Sequence, residues 1–339
     1  AQAAKRCVKV VGSGHSFTAV AVADDILIDL RNYGEFLEVS SDRTTVTVQS
    51  GIVLSDLNER LQREGLAMPN LGDITYQTIA GALSTSTHGT GQARTGLAAQ
   101  VVGFRLIDSG GNVLPCSERE NEEVFHVGRV GLGALGILST LTLRVVPAFQ
   151  LCAVEEPMRV KDVLENIDQL VNGNDFFEFY WIPHTGWALT KRNNICDLPS
   201  DPPRRFAHWW NKIFMENIAF GALCYLGRMR PGLIPRLAKV LPSSGRVEYV
   251  NASYKIFASP RLVKFYEMEH AIPAEAIVPA LTDVRSMIER KGYLLNFPVE
   301  VRFTDADDVP LSTSFGRKSA YIAVHVFKGM EHEAFFRDV

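Results

Sequence analysis

A chain of 339 residues exceeds the roughly 100–200 residues of a usual domain, so two domains are expected. Hydrophobic residues at 46% and charged residues at 22% sit near globular averages, which excludes both a disordered chain and one embedded in a membrane throughout. Lys plus Arg (35) nearly balances Asp plus Glu (38), and a net charge of -3 supplies no field for capturing nucleic acid, so no nucleic-acid partner is expected.

The opening Ala-Gln-Ala-Ala-Lys-Arg reads as the tail of a helix already under way, and 331–339 as the start of an amphipathic helix that stops without a cap. Both ends are therefore expected to continue, with a first strand-helix unit before residue 1 and a further segment after residue 339. Residues 8–11 form a β-branched run that feeds Gly12-Ser13-Gly14, and 26–30 reads as a second strand. Val46 and Val48 alternate with threonines and Gln49, the pattern of a half-buried strand, ended by Gly51. Leu54, Leu57 and Leu61 share one helical face while Asp56, Glu59, Arg60 and Arg63 decorate the other, and Gly65 suits the C-terminal turn. The runs 101–107 and 113–116 flank Ser109-Gly110-Gly111-Asn112 and predict a hairpin. Gly131 to Gly136 (GLGALG) then leads into the apolar strand 137–146, stopped by Pro147.

Hairpins mixed with helices point to an α+β fold rather than a doubly wound parallel sheet. The first domain is assigned to 1–148 and the second to 149–339, the latter richer in aromatic residues and holding Trp181, Trp187, Trp209 and Trp210. Within it, 297–304 alternates Phe297, Val299, Val301 and Phe303 on one face with Glu300 and Arg302 on the other. Taken alone, that charged pair reads as a solvated strand salt bridge of little energetic weight. Residues 321–327 predict a further apolar strand carrying His325. The segment 201–240 holds seven Lys or Arg against two acids, interleaved with Trp209, Trp210, Phe214 and Phe220. Two readings stay open for it: a basic aromatic surface helix, or a peripheral membrane contact, its apolar runs being too short to span a bilayer. Five cysteines, far apart and without CxxC or zinc spacing, fit reduced thiols in a cytoplasmic compartment and no metal site.

Two segments carry chemistry. In Gly12-Ser13-Gly14-His15-Ser16, the glycines let successive backbone N–H groups converge on an anion such as a pyrophosphate, although the same residues also make an ordinary strand-ending turn. The dinucleotide fingerprint fails, because Phe17 stands where its third glycine belongs. In 72–91, running from Gly72-Asp73 to Thr87-His88-Gly89-Thr90-Gly91, small and hydroxyl residues let backbone approach a flat ligand closely, or else form a plain polar loop.

The two segments in this order resemble the vanillyl-alcohol-oxidase superfamily of FAD proteins, and within it the aldonolactone oxidase branch. There a strand enters G-(S/G)-G-H-S, and G-D-x-x-x-Q-(S/T)-I-x-G-A runs into (S/T)-x-T-H-G-T-G. Gly131 to Ile137 resembles the branch's third flavin segment and Phe297 to Phe303 its substrate strand, so the likeness covers essentially the whole chain. It implies a two-subdomain PCMH-type FAD-binding domain followed by an α+β substrate (cap) domain with an antiparallel sheet. It further implies FAD oxidation of a sugar lactone, with oxygen or another acceptor reoxidising the flavin.

Carried over residue by residue, the resemblance puts Gly12, Ser13, Gly14, His15 and Ser16 on the FAD pyrophosphate, with His15 bonded covalently to the flavin. Thr78, Ser86, Thr87, His88 and Gly89 line the ring, with His88 either a ligand contact or a turn residue, and the Ile137 backbone helps hold the cofactor. Gly72 matches a position that gates oxygen access. Glu300, Arg302 and His325 become the substrate and catalytic residues, although His325 also suits a satisfied core histidine. Phe327 departs from the Thr of the related alditol oxidases, which favours a lactone over an open-chain alditol. The family's His-Trp-(Gly/Ala)-Lys motif has no counterpart in 1–339, so no catalytic base is assigned, and a non-catalytic flavin-binding fragment is the remaining alternative.

Overall fold

The computed structural model describes residues 6–239 and 245–339. The first five residues of the opening helical reading lie outside the described residues. Two units emerge: one comprises the chain up to Gly89 with Arg94–Phe149 and Ala306–Arg317, the other Thr90–Ala93, Gln150–Asp305 and Lys318–Val339.

In the first unit, β1 (Val8–Val11) pairs in parallel with β2 (Ile26–Asp29). An antiparallel sheet follows, built from β3 (Phe36–Val39), β4 (Thr45–Gln49), β6 (Val101–Ile107), β7 (Val113–Ser117) and β8 (Ile137–Arg144) in the order β3-β4-β8-β6-β7. Its core is what the alternation dictates: Val46 and Val48 of β4 are fully buried, and Leu141 and Leu143 of β8 stand opposite them. Helix α1 (Leu54–Arg63) adds Leu54, Leu57 and Leu61, all buried. Gly65 at φ +68° donates its N–H to the Gln62 carbonyl, closing the last turn in the left-handed conformation that glycine adopts without a Cβ clash. The expected strand 137–146 breaks after Arg144. Val146–Pro147 forms a separate short strand, β9, on β5 (Leu66–Ala67).

The second unit is built on one antiparallel sheet. Its strands are β10 (Gln150–Arg159), β11 (Phe176–Trp181), β12 (Trp187–Cys196), β13 (Val247–Ala252), β14 (Phe265–Pro273), β15 (Val299–Thr304) and β16 (Ser319–Phe327). They lie in the order β13-β10-β12-β11-β15-β16-β14. One face is apolar: Phe177, Phe179, Val299, Val301, Ile322 and Val324 pack with Val163, Ile277, Leu281 and Phe335 of the covering helices. Two of those helices, Ile277–Lys291 and Glu333–Asp338, show why: their apolar residues recur on one side while Arg290 and Lys291, or Arg337, close the last turn. Phe297 does not continue the alternation of β15 as its spacing predicts. The strand starts one residue after Pro298, which lacks an N–H for the ladder, and the Phe297 ring instead packs on Phe220 and Phe265.

Between β12 and β13 the chain makes helical turns at Arg205–His208, a π-helix at Trp209–Ala219 and an α-helix at Phe220–Met229. Phe206, Trp209, Trp210, Tyr225 and Met229 are exposed there. Among the described residues no helix is long and apolar enough to cross a membrane. Cysteines distant in sequence also meet: Cys152 Sγ of β10 lies 2.6 Å from Cys196 Sγ of β12, both as free thiols.

Candidate functional site

In the first unit the sequence-predicted cofactor residues gather around a short helix, α2 (Ile79–Ser84). Thr78 caps it, its hydroxyl accepting from the Gly81 N–H at 3.3 Å, and is buried. A Cβ at residue 12 would run into that Thr78 hydroxyl, so Gly12 is required by close packing of the first segment on the second. The N–H groups of Ile79 and Ala80 are already engaged by the Ile52 and Ser50 carbonyls. The helix start is thus not the anion site, and the Gly12-to-Ser16 turn is the candidate. Ser13, Gly14, His15 and Ser16 are exposed, Gly14 holds φ +72°, and the His15 imidazole stacks 6.4 Å from the Tyr76 ring at 16°. An exposed turn of small residues beside an accessible imidazole fits a diphosphate and a flat ring.

The remaining predicted residues stand on the same frame. Gly72 lies against the second segment, where a Cβ would meet the His88 carbonyl and Thr87 Cγ2, each at 3.2 Å. Ser86, at φ +57°, accepts from the Thr313 N–H at 3.2 Å. His88 is buried and its Nδ1 donates to the Gly89 carbonyl at 2.9 Å, while a Cβ at Gly89 would strike the Leu71 carbonyl. The 131–136 turn is tied to the end of α2 by the Leu132 N–H on the Ser84 carbonyl, and Ile137 opens β8 opposite Ile107.

The second unit holds the charged residues. Glu300 and Arg302 lie on the polar face of β15, and the structure overturns the solvated salt-bridge reading: their side chains are only 12% and 9% exposed. Arg302 Nε contacts both Glu300 Oε1 and Glu178 Oε2, the latter at 2.9 Å. Tyr180 donates its hydroxyl to Glu178 at 3.1 Å and lies 3.4 Å from Glu300, while Arg261 donates to the Tyr180 oxygen at 3.2 Å. Burial, then the two neighbouring carboxylates, drive the Tyr180 pKa well above the ordinary phenol range, so this hydroxyl stays a donor.

His325 of β16 is buried on the same face, its Nδ1 donating to the Pro298 carbonyl at 3.1 Å and its Nε2 3.4 Å from Glu267 Oε1. Burial opposes charge on this ring, but Glu267, helped by Glu300 and the Pro298 carbonyl, outweighs it and raises the pKa above the ordinary histidine value. With both nitrogens engaged, the buried His325 ring is fixed in one orientation on the polar face of the sheet.

Two family descriptions match the chain: "FAD binding domain" over residues 1–117 and "D-arabinono-1,4-lactone oxidase" over residues 141–339. The chain belongs to the D-arabinono-1,4-lactone oxidase family. It is 41% identical to an L-gulono-1,4-lactone dehydrogenase of Mycobacterium tuberculosis (strain ATCC 25618 / H37Rv), covering 100% of this chain and 79% of that protein. It is 35% identical to the L-gulonolactone oxidase of Bos taurus, covering 95% and 73% respectively. A crystal structure of cholesterol oxidase from B. sterolicum superposes with a TM-score of 0.81 at 16% identity over 99% of this chain and 76% of that one, a likeness of fold alone. The α+β, PCMH-type expectation therefore holds, and this family member is an FAD-dependent oxidoreductase of the aldonolactone type.

Sequence reasoning missed Glu178, Tyr180, Lys191 and Arg261. In this aldonolactone-type enzyme Glu178, Tyr180 and Lys191 reach Glu300 and Arg302 through strand pairing, Tyr180 standing opposite Glu300 and Lys191 opposite Glu178, while Arg261 reaches Tyr180 from the segment before β14. One local signal was present: Glu178 interrupts the otherwise aromatic run FFEFYW, where an unpaired carboxylate is costly to bury.

Proposed function

We propose that this protein oxidises a secondary alcohol of an aldono-1,4-lactone, of the L-gulono or D-arabinono type, with FAD held by the first unit. The observation that carries this reading is the buried Glu300–Arg302 pair in a chain of this family. Glu300 accepts hydrogen bonds from the ring hydroxyls, Arg302 orients the carbonyl and stabilises negative charge developing on oxygen, and His325 lies beside them on the same polar face. FAD, when bound, supplies the acceptor for the hydride equivalent. Gly12, Ser13, Gly14 and Ser16 hold its diphosphate, while Thr78, Ser86, Thr87, His88, Gly89 and the Ile137 backbone line the ring. His15 is the residue that would carry the flavin covalently, and the exposure of its imidazole beside Tyr76 supports that reading.

Glycine at position 72, the position matched to oxygen gating, is compatible with oxygen as final acceptor, and another acceptor is equally served by the same reduction step. The bulky Phe327 at the end of β16 supports a lactone over an open-chain alditol. The test has two readings. Yellow colour should survive acid precipitation of the wild type and be lost from His15→Ala; a colourless wild-type precipitate removes the covalent bond. Anaerobic flavin bleaching should follow addition of L-gulono-1,4-lactone and not xylitol; the reverse result makes the protein an alditol oxidase.

A second reading concerns location. Phe206 (73% exposed), Trp209, Trp210, Tyr225 and Met229 line the helical excursion beside Arg228 and Arg230, a composition that suits peripheral contact with an anionic bilayer of a cytoplasmic compartment. Flotation with phosphatidylserine vesicles should carry the wild type upward, and a Phe206→Ser, Trp209→Ser double variant should stay below. If both remain in the lower fraction, the contact is refuted.

A further inference from the structure

The polar face of the second-unit sheet carries its charges in a row that crosses the strands. Glu155 of β10 stands opposite Lys191 of β12, and Lys191 stands opposite Glu178 of β11. Glu178 Oε2 then reaches Arg302 Nε of β15 at 2.9 Å, and Lys191 Nζ lies 3.5 Å from Glu178 Oε1. The signs alternate along this row. The side chains of Lys191, Glu178 and Arg302 are 14%, 10% and 9% exposed, so water does little to screen them. The outer end is closed by Lys212 of the π-helix, whose Nζ lies 2.9 Å from Glu155 Oε1.

Such a row is a poor way to gain stability. Desolvating charged groups offsets most of their attraction, and an apolar surface like the opposite face of this sheet would serve folding as well or better. What the row does accomplish is geometric. Two carboxylates, Glu178 from the neighbouring β11 and Glu300 from β15 itself, form ion pairs with Arg302 Nε, which confines the guanidinium between them. Glu178 keeps its own direction because Lys191 and the Tyr180 hydroxyl share its Oε1.

We propose that Glu178 and Lys191 are positioning residues for the reaction: Glu178 fixes the Arg302 guanidinium in the orientation that meets the lactone, and Lys191 fixes Glu178. The assignment rests on Arg302 being a substrate contact, as argued above. Glu155, two strands beyond Glu178, belongs to the row energetically but sets no direction at Arg302.

The experiment is anaerobic rapid mixing of flavin-loaded protein with L-gulono-1,4-lactone, reading the limiting rate of flavin reduction and the apparent Kd, both normalised to bound flavin so that loss of folded protein does not count. Glu178→Gln should lower the limiting rate about 100-fold and Lys191→Met about tenfold, the scale on which a misdirected catalytic contact acts. The Kd should change less than the rate in both. Lys191→Arg, which keeps the charge, should recover to within about threefold of wild type, while Glu155→Gln should reduce at the wild-type rate. Wild-type rates in Glu178→Gln and Lys191→Met overturn the proposal, as does a Glu155→Gln protein that is slowed as much as Lys191→Met. Should Glu178→Gln fail to retain flavin, the two Lys191 variants decide alone. Arg302→Ala separates the underlying reading: if it too reduces at full rate, the lactone contact itself is wrong, whereas a slow Arg302→Ala beside a fast Glu178→Gln removes only the positioning role.

Discussion

The proposed cofactor residues of the first unit and the charged residues of the second are built on opposite principles. Around α2 the work is done by backbone and small side chains: Gly12 presses on Thr78, Gly72 on the His88 carbonyl, Gly89 on the Leu71 carbonyl. Each of these contacts needs the absence of a side chain, so each is written as a glycine in a contiguous motif. On the polar face of the second sheet the work is done by long charged side chains from different strands, joined by register alone. A backbone site announces itself locally; a cross-strand site does not.

The sharpest break of this comparison is Arg302→Ala. Removing the cation should slow anaerobic flavin reduction by lactone about 10²–10³-fold, on the order of 3–4 kcal/mol, without changing the amount of flavin bound, measured by absorbance. Loss of flavin instead would show that the two sets of residues are not separable.

Next comes Glu155. Burial opposes its ionisation, but Lys212 and Lys191 outweigh that and hold its pKa down to about 2 from 4.5. A carboxylate with a depressed folded pKa contributes stability that is present above its unfolded value and is lost as pH falls through the folded one. That contribution is on the order of 3 kcal/mol. Denaturant unfolding followed between about pH 6 and pH 2 should show wild type losing this advantage and Glu155→Gln, already destabilised, losing less. Parallel curves would refute it.

In the first unit, Gly12→Ala should cost about 1–3 kcal/mol of overpacking against Thr78 and weaken flavin retention. Gly14→Ala has open space around it and should cost only about 1–2 kcal/mol, through its left-handed φ of +72°. Thermal denaturation of the two variants, with flavin release followed by fluorescence, ranks them; a reversed order would show that the turn, not the packing, is what glycine serves.

The smallest effect concerns His325, whose folded pKa is raised above 6.5 by Glu267 against the effect of burial. Stability from such a group is fully present below the unfolded pKa and disappears as pH rises through the folded one. Glu267→Gln should therefore lower the melting temperature most below about pH 6.5 and progressively less in alkali. A constant difference across pH would mean that the pair does not titrate.

How far the sequence could be read follows the same division. The alternation of β4, the amphipathic α1 with Gly65 behind it and the β6-β7 hairpin were legible because each depends on neighbours a few residues apart. Glu300 and Arg302 were legible as a pair at spacing two, but their burial was not: a strand pattern gives which residues share a face and never what covers that face. Phe297 leaves the alternation because the ladder cannot form at Pro298, a break that spacing alone does not register. Nothing in 306–317 signals that it belongs with the first unit, where the Thr313 N–H meets Ser86.

The sequence by itself determined the kind of chain this is: two short glycine-rich segments and a charged strand in a set order, each requiring its residue types for reasons of steric room or alternation. Only the tertiary structure decided that Glu178, Tyr180, Lys191 and Arg261 stand with Glu300 and Arg302. The physical reason is that strand register is set by the burial of the opposite, apolar face, so which charges meet on the polar face is a consequence of packing far from them in sequence.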